Sequence, residues 1–413
     1  MFRYIIAVCL LFLAGCSTHS QMKPNVVSDN FEQDTYMLVA LDASSRGKFH
    51  LASSYYQELY GLNPLEEYRE NIYINLLLAQ EYTRLIVEID DSEPNSQILR
   101  FKIKALVALQ RLREASELSV KLAGETKSVE DYQLTGSIFT LLNDHESALK
   151  YYESAYAIDQ DEQILNALAV TLYVNLQRKK EAIAQLETHS RIRGCSELIC
   201  GRLAGFYSDL GDIDGMLNTY LRLFKSSKDE KIAAIIAQLY EYRGDIDSLE
   251  KFVDQNPNQR EALLRLLSAK KEYKRASEVA FELYESSGSA TYLAQSAIFL
   301  YELEPIDKRT LQIVIRRLSQ AVRITPEPMF LNYLGYTMIE HGIDVERAME
   351  YVKEALLSEP DSSYYLDSLA WGYYMLGECE TAKSVIDSIK DSDPEIKEHK
   401  IMIDSCIEDK EFR

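Results

Sequence analysis

The residues with the most chemical reach in this chain are six cysteines, six histidines and 65 carboxylates. The histidines stand at 19, 50, 145, 189, 341 and 399. None belongs to an H-E-x-x-H pair or another spacing that sets two imidazoles on one helix face. No Gly-rich phosphate loop and no G-x-S-x-G elbow occurs. Around Cys9, Cys16, Cys195, Cys200, Cys379 and Cys406 no companion ligands stand at zinc spacing, and His189 alone does not complete a site. Carboxylates this numerous form chance pairs on helix faces, where a charged run is a solvated surface. The sequence therefore predicts no catalytic constellation, no metal site and no cofactor, and a protein that is not an enzyme. A cell-wall or glycan-active enzyme with an unrecognised site is the catalytic alternative; it requires a cleft holding several perturbed carboxylates.

The elements that carry these residues are constrained by composition. The 413 residues include 45 basic and 65 acidic side chains, a formal net charge of −20. That balance excludes sequence-independent nucleic-acid binding, which needs a basic surface to neutralise phosphates. Only 16 Gly and 9 Pro are present, well under the usual ~7% and ~5%, so the chain lacks the turns of an all-β fold. With 46% apolar residues it has ample material for a core. A chain of this length accommodates either two to four domains or one long repeat array.

The N-terminus is an address. Arg3 precedes an apolar run from Tyr4 to Leu13, too short for the ~20 residues that span a bilayer as a helix. The run ends in Leu13-Ala14-Gly15-Cys16, which resembles the bacterial lipobox, in which the cysteine is diacylated and becomes the first mature residue. The resemblance implies a signal peptide over 1–15 (lipobox 13–16), palmitate-type acylation of Cys16, and membrane attachment through lipid. Ser17 rather than Asp after the cysteine implies the outer membrane, facing the periplasm. Residues 16–30 form a polar tether reaching at most roughly 45–50 Å when extended.

From residue 31 onward the chain repeats itself. Small or apolar residues recur in Ala40, Gly47, Ala52, Tyr56, Leu59 and Pro64, then in Gly136, Phe139, Ala148, Tyr152 and Ala155. Later copies carry Leu203, Ala204, Tyr207, Gly211 and Tyr220, then Leu334, Gly335, Ala348, Val352, Ala355 and Pro360, and finally Leu369, Ala370, Tyr373, Gly377, Ala382, Ile386 and Pro394. Ala148 to Ala182, Ala348 to Ala382 and Pro360 to Pro394 each step by 34 residues. This pattern resembles the tetratricopeptide repeat. The physics of the spacing is steric: small residues let two antiparallel helices approach, larger ones fill the groove between them, and Pro stops the second helix. The resemblance implies an all-α, right-handed α-solenoid of about eleven helix pairs over 31–394. A capping helix and tail follow over 395–413, covering the last exposed apolar face. Weaker units are expected around 67–95, 96–128, 230–257, 258–288 and 289–327, with Pro305-Ile306-Asp307 lengthening one turn inside a pair.

Within this frame four cysteines remain in an oxidising compartment, and three pairings are open to them. Cys195 and Cys200 flank a single turn between repeats. Cys379 sits in the turn of the last helix pair, and Cys406 near the end of the capping helix that should lie beside it. The expected disulfides are Cys195–Cys200 and Cys379–Cys406.

Carried over from the repeat family, the concave groove is lined by the first helix of each pair. In the last two repeats the groove positions are Asn332, Tyr336, Ile339 and Glu340, then Tyr364, Asp367, Trp371, Tyr374 and Met375. Trp371 is the sole tryptophan of the chain and is either a binding anchor or packing against the capping helix. Among the first three repeats the positions are mixed (for instance Asp34, Met37, Leu41 and Ser44), and no paired Lys and Asn array for a C-terminal carboxylate is in register.

The sequence thus predicts a non-catalytic, lipid-anchored periplasmic scaffold that binds envelope proteins in its groove for envelope assembly or protease recruitment. It resembles repeat-rich lipoprotein adaptors of carboxyl-terminal processing proteases. A subunit of an exopolysaccharide or pilus export machine, docking on an outer-membrane channel, is the rival. Self-association into a homodimer through the N-terminal end is a further expectation.

Overall fold

The computed structural model describes residues 31–303, 305–390 and 393–411. The signal segment, Cys16 and the tether lie outside the described residues. Among the described residues there are twenty-three α-helices and no strand, which group as eleven pairs and a final helix, the all-α solenoid architecture that the resemblance to the tetratricopeptide repeat implies. No described helix is long and apolar enough to cross a membrane.

Two compact units divide the chain between Thr188 and His189. The first contains the pairs Phe31–Ser45 with Phe49–Leu62, Glu66–Leu78 with Tyr82–Glu88, Ser96–Ala108 with Leu112–Thr126, and Val129–Leu141 with His145–Ile158. Its last pair begins with Glu162–Val170, runs on through a π-helical turn at Thr171–Asn175, and is completed by Lys179–Ile192, in which the division falls. Tyr56, Ile72, Leu85, Phe101 and Leu122 belong to one continuous core of this unit. Arg100 bridges two first helices, its guanidinium donating to both carboxylate oxygens of Asp131 at 2.7 and 2.8 Å. Burial works against the Asp131 charge, but hydrogen bonds from Arg100, Thr126 and Ser128 outweigh it and lower its pKa.

The second unit stacks Glu197–Asp209 with Ile213–Ser227, Glu230–Arg243 with Ile246–Gln255, and Arg260–Ala269 with Tyr273–Ser287. Ala290–Tyr301 with Lys308–Ile324, Pro328–Glu340 with Val345–Ser358, and Ser363–Met375 with Cys379–Ile386 follow, and Pro394–Glu411 ends the unit. The degenerate middle repeats are therefore complete helix pairs despite their lost signature residues.

Local sequence explains the pairing. Most pairs close through a turn of three residues or so containing one left-handed residue, such as Gln80 (φ 61°), Asn143 (φ 60°) or Gly211 (φ 67°). So short a connection forces the second helix back along the first. Asp144, Asp212 and Asp245 then cap the second helices by accepting backbone N–H groups, which gives part of the acidic composition a structural use. The small residues permit close approach: a Cβ on Gly335 would meet Val352 Cγ2 at 2.5 Å and the Ala348 carbonyl oxygen at 2.8 Å. Between Tyr301 and Lys308 the turn is longer, and Asp307 caps the following helix through Arg309 and Thr310.

Cys195 pairs with Cys200 and Cys379 with Cys406, with Cα–Cα separations of 5.6 and 5.9 Å. The second bond ties Pro394–Glu411 to the pair it covers. That final helix packs on both Ser363–Met375 and Cys379–Ile386, burying Ile396 and Ile403 against Ala370, Ala382 and Ile386.

Candidate functional site

The site grows from three first helices of the second unit. Pro328–Glu340 and Ser363–Met375 pack side by side, so their neighbouring faces form one surface. Ala290–Tyr301 adds its C-terminal end, and the long turn after it contributes Pro305 and Ile306. The start of the final helix contributes Glu395. Together they enclose a cleft of about 1280 Å³, large enough for an extended segment of polypeptide rather than a small metabolite alone.

Five tyrosines line the cleft: Tyr301, Tyr333, Tyr336, Tyr364 and Tyr365. Five carboxylates stand among them: Glu302, Glu340, Glu359, Asp367 and Glu395. Among the described residues no Lys or Arg lines it, and His341 is its one basic side chain. Met329, Pro305 and Ile306 supply the apolar part of the wall.

Bonded to two residues of the cleft wall, Glu340 and Asp367, a cluster of side chains fastens the final helix. Trp371 is 6% exposed. Its indole stacks between Tyr374 (centroids 4.6 Å apart) and the imidazole of His399 (4.2 Å), and Nε1–H donates to Glu340 Oε2 at 2.7 Å. His399 Nδ1–H donates to Asp367 Oδ2 at 2.9 Å. Burial opposes a charged imidazole there, but the Asp367 hydrogen bond and the nearby Asp367, Glu395 and Glu340 charges outweigh it and raise the His399 pKa. Tyr336 donates its phenol proton to Glu395 at 2.6 Å. Burial, reinforced by that bond, holds the phenol protonated far above its ordinary range.

The structure separates the nine expected groove residues. Asn332, Tyr336, Glu340, Tyr364 and Asp367 line the cleft, and Tyr364 is 59% exposed. Ile339 is fully buried and belongs to the core with Ala348 and Val352; its assignment to the groove is corrected. Of the two readings of Trp371, packing against the final helix is the one the structure has, so its place among the open groove residues is corrected. Tyr374 is half-buried against Trp371, and Met375 is exposed beyond the cleft. Tyr301, Glu302, Pro305 and Ile306 escaped the sequence analysis, as did Tyr333, Tyr365 and Glu395. The lengthened turn at Pro305 was the signal for the first group. Glu395 gave none, because its place depends on how the final helix docks. Among the described residues no group of three or more His, Cys, Asp or Glu side chains could hold a metal.

Residues 132–162 match the sequence model of the tetratricopeptide repeat. No curated protein matches the chain. Among solved structures it is similar to the Naa15/Naa10 complex bound to HypK-THB, at 13% identity and TM-score 0.34, covering 88% of this chain and 64% of that one. The chain thus spans under two thirds of that relative's length. It is also similar to pilF of Pseudomonas aeruginosa, at 14% identity and TM-score 0.34, over 48% of this chain and 92% of that one. A third likeness is the complex of the TPR2AB domain of yeast Sti1 with pHSP90, at 14% identity and TM-score 0.30, over 67% and 96%. Each is a likeness of helical architecture and assigns no partner to this chain.

Proposed function

We propose that this protein is a non-catalytic scaffold, anchored by lipid on Cys16 to the periplasmic face of the outer membrane, that holds a segment of a partner protein in the cleft of its second unit. The observation that carries the reading is the cleft itself: a tyrosine-lined surface assembled from the first helices of successive pairs, with Tyr364 and Met329 exposed on it. Tyrosines give large amphipathic contact area at low entropic cost, which suits recognition of another polypeptide. A repeat stack is a scaffold on which many unrelated functions are built, so the site and not the fold has to name the ligand. Recruitment follows from tethering, because a partner held close to the membrane reaches an effective concentration near its substrate of about millimolar order for a short linker. Envelope assembly and recruitment of a processing protease to its substrates are the two forms that such a scaffold takes in this proposal.

The test is position-specific photo-crosslinking in the full-length chain within the intact envelope. A photoreactive phenylalanine at Tyr364, on the cleft rim, should give one discrete protein adduct. The same probe at Leu357, exposed on the second helix of the preceding pair, should not. Identical adducts at both positions, or none at Tyr364, would refute the reading.

A further inference from the structure

The charge of the cleft selects what can enter it. Glu302, Glu340, Glu359 and Glu395 face a shared space, and among the described residues none of them is paired with a Lys or Arg. Elsewhere in the same unit carboxylates are matched by cations, as in Glu241 with Arg265, Glu250 with Arg275 and Asp387 with Lys400. Like charges in a partly desolvated space, with His341 and His399 as the bases beside them, repel one another and attract a further counter-charge.

A second observation points the same way. Asp367 forms part of the cleft wall, yet it is only 5% exposed, and its Oδ1 accepts no hydrogen bond. Oδ1 of Asn332, on the adjacent helix, likewise has no partner. Both orphans are acceptors. A buried acceptor without a donor is costly, and what relieves it is an N–H group. Tyrosine faces around the cleft add the attraction of their ring quadrupoles for a cation.

We propose that the cleft recognises an extended polypeptide segment bearing Arg or Lys side chains, whose cationic groups meet the unmatched carboxylates, beside the buried, unpartnered acceptors of Asp367 and Asn332. This inference rests on the protein-binding reading above and names the chemistry of the partner. A guanidinium suits the site best, because it is planar, carries several donors in a fixed fork, and stacks on aromatic rings.

The test uses the full-length protein in detergent and a fluorescein-labelled Arg-Ser-Ala repeat peptide, read by anisotropy at physiological salt. A peptide with citrulline in place of every arginine keeps the shape and removes the charge. The arginine peptide should bind and the citrulline peptide should not. Glu302→Gln with Glu359→Gln should weaken binding about tenfold. Glu350→Gln with Glu354→Gln, which removes the same charge from the exposed face of a second helix, should leave the affinity unchanged. Glu340→Gln, which keeps an acceptor for Trp371, should weaken binding without loss of the folded thermal transition. Equal losses in the two double variants would mean that the overall charge of the chain attracts the peptide, and would overturn the proposal, as would equal binding of the citrulline peptide. If the Tyr364 adduct forms in the envelope and the arginine peptide does not compete with it, the cationic assignment falls and the scaffold reading stands. If no adduct forms either, both fall.

Discussion

At the scale of single residues, close approach and charge placement decide the outcome. Gly335 faces Val352 and the backbone of Ala348, so even one methyl group has nowhere to go. Gly335→Ala should lower stability by about 1–3 kcal/mol through overpacking, seen as an earlier denaturant midpoint. Gly61, with nothing within 4 Å of an added Cβ, provides the contrast: Gly61→Ala should be neutral or stabilising by up to about 1 kcal/mol. His399 yields a pH prediction. Its folded-state pKa is raised, with Asp367, Glu395 and Glu340 as the charges around it. Its contribution to docking of the final helix is therefore fully present below the unfolded value of about 6.5 and is lost as the pH rises through the raised folded value. The fluorescence of Trp371, the sole tryptophan, should report this as a transition above neutral-histidine range that vanishes in His399→Gln. A pH-independent signal in the wild type would contradict it.

At the scale of elements, the final helix is the part whose attachment is most open to experiment. It carries both the wall residue Glu395 and the clamp residue His399, and Cys379–Cys406 closes 27 residues of chain around it. Removing that bond restores chain entropy to the unfolded state, about 3–4 kcal/mol in the loop-closure model. Cys379→Ser with Cys406→Ser should therefore raise amide exchange across Pro394–Glu411 while the Arg100–Asp131 region stays protected. The pairing of helices was readable because it is a local property, set by short turns with one left-handed residue and by spaced small side chains. Four of the five weak copies kept those features, with Gln80, Gln110, Gly244 and Lys271 as the left-handed residues, and the copy around 289–327 has the longer turn instead. The face that each helix presents was less readable. Asn332, Tyr336 and Glu340 fell where the repeat register put them, whereas Ile339, on the same helix, sank into the core.

At the scale of the whole molecule, each of the two units has hydrophobic core of its own, and the functional proposal sits on the second. The lipid anchor is a prediction at this scale, since it concerns where the chain resides rather than how it folds. Two acyl chains contribute ~0.8 kcal/mol for each buried methylene and together anchor stably. Cys16→Ser should move the protein from the membrane pellet to the soluble periplasmic fraction with its helical content unchanged. Retention of the variant in the outer membrane would remove the lipobox assignment. What the amino-acid sequence alone carried was the helical class, a count of about eleven pairs with a terminal helix through its resemblance to the repeat, and the lengthened turn at Pro305, because helix periodicity, capping and turn chemistry act over a few residues. What only the tertiary structure decided was which surface stays open. Trp371 meets Glu340 across 31 residues, His399 meets Asp367 across 32, and Glu395 meets Tyr336 across 59. No local pattern encodes contacts of that range, so the choice between anchor and packing that the sequence left open for Trp371 falls to packing beneath the final helix, and the cleft lies one surface over, among tyrosines and carboxylates.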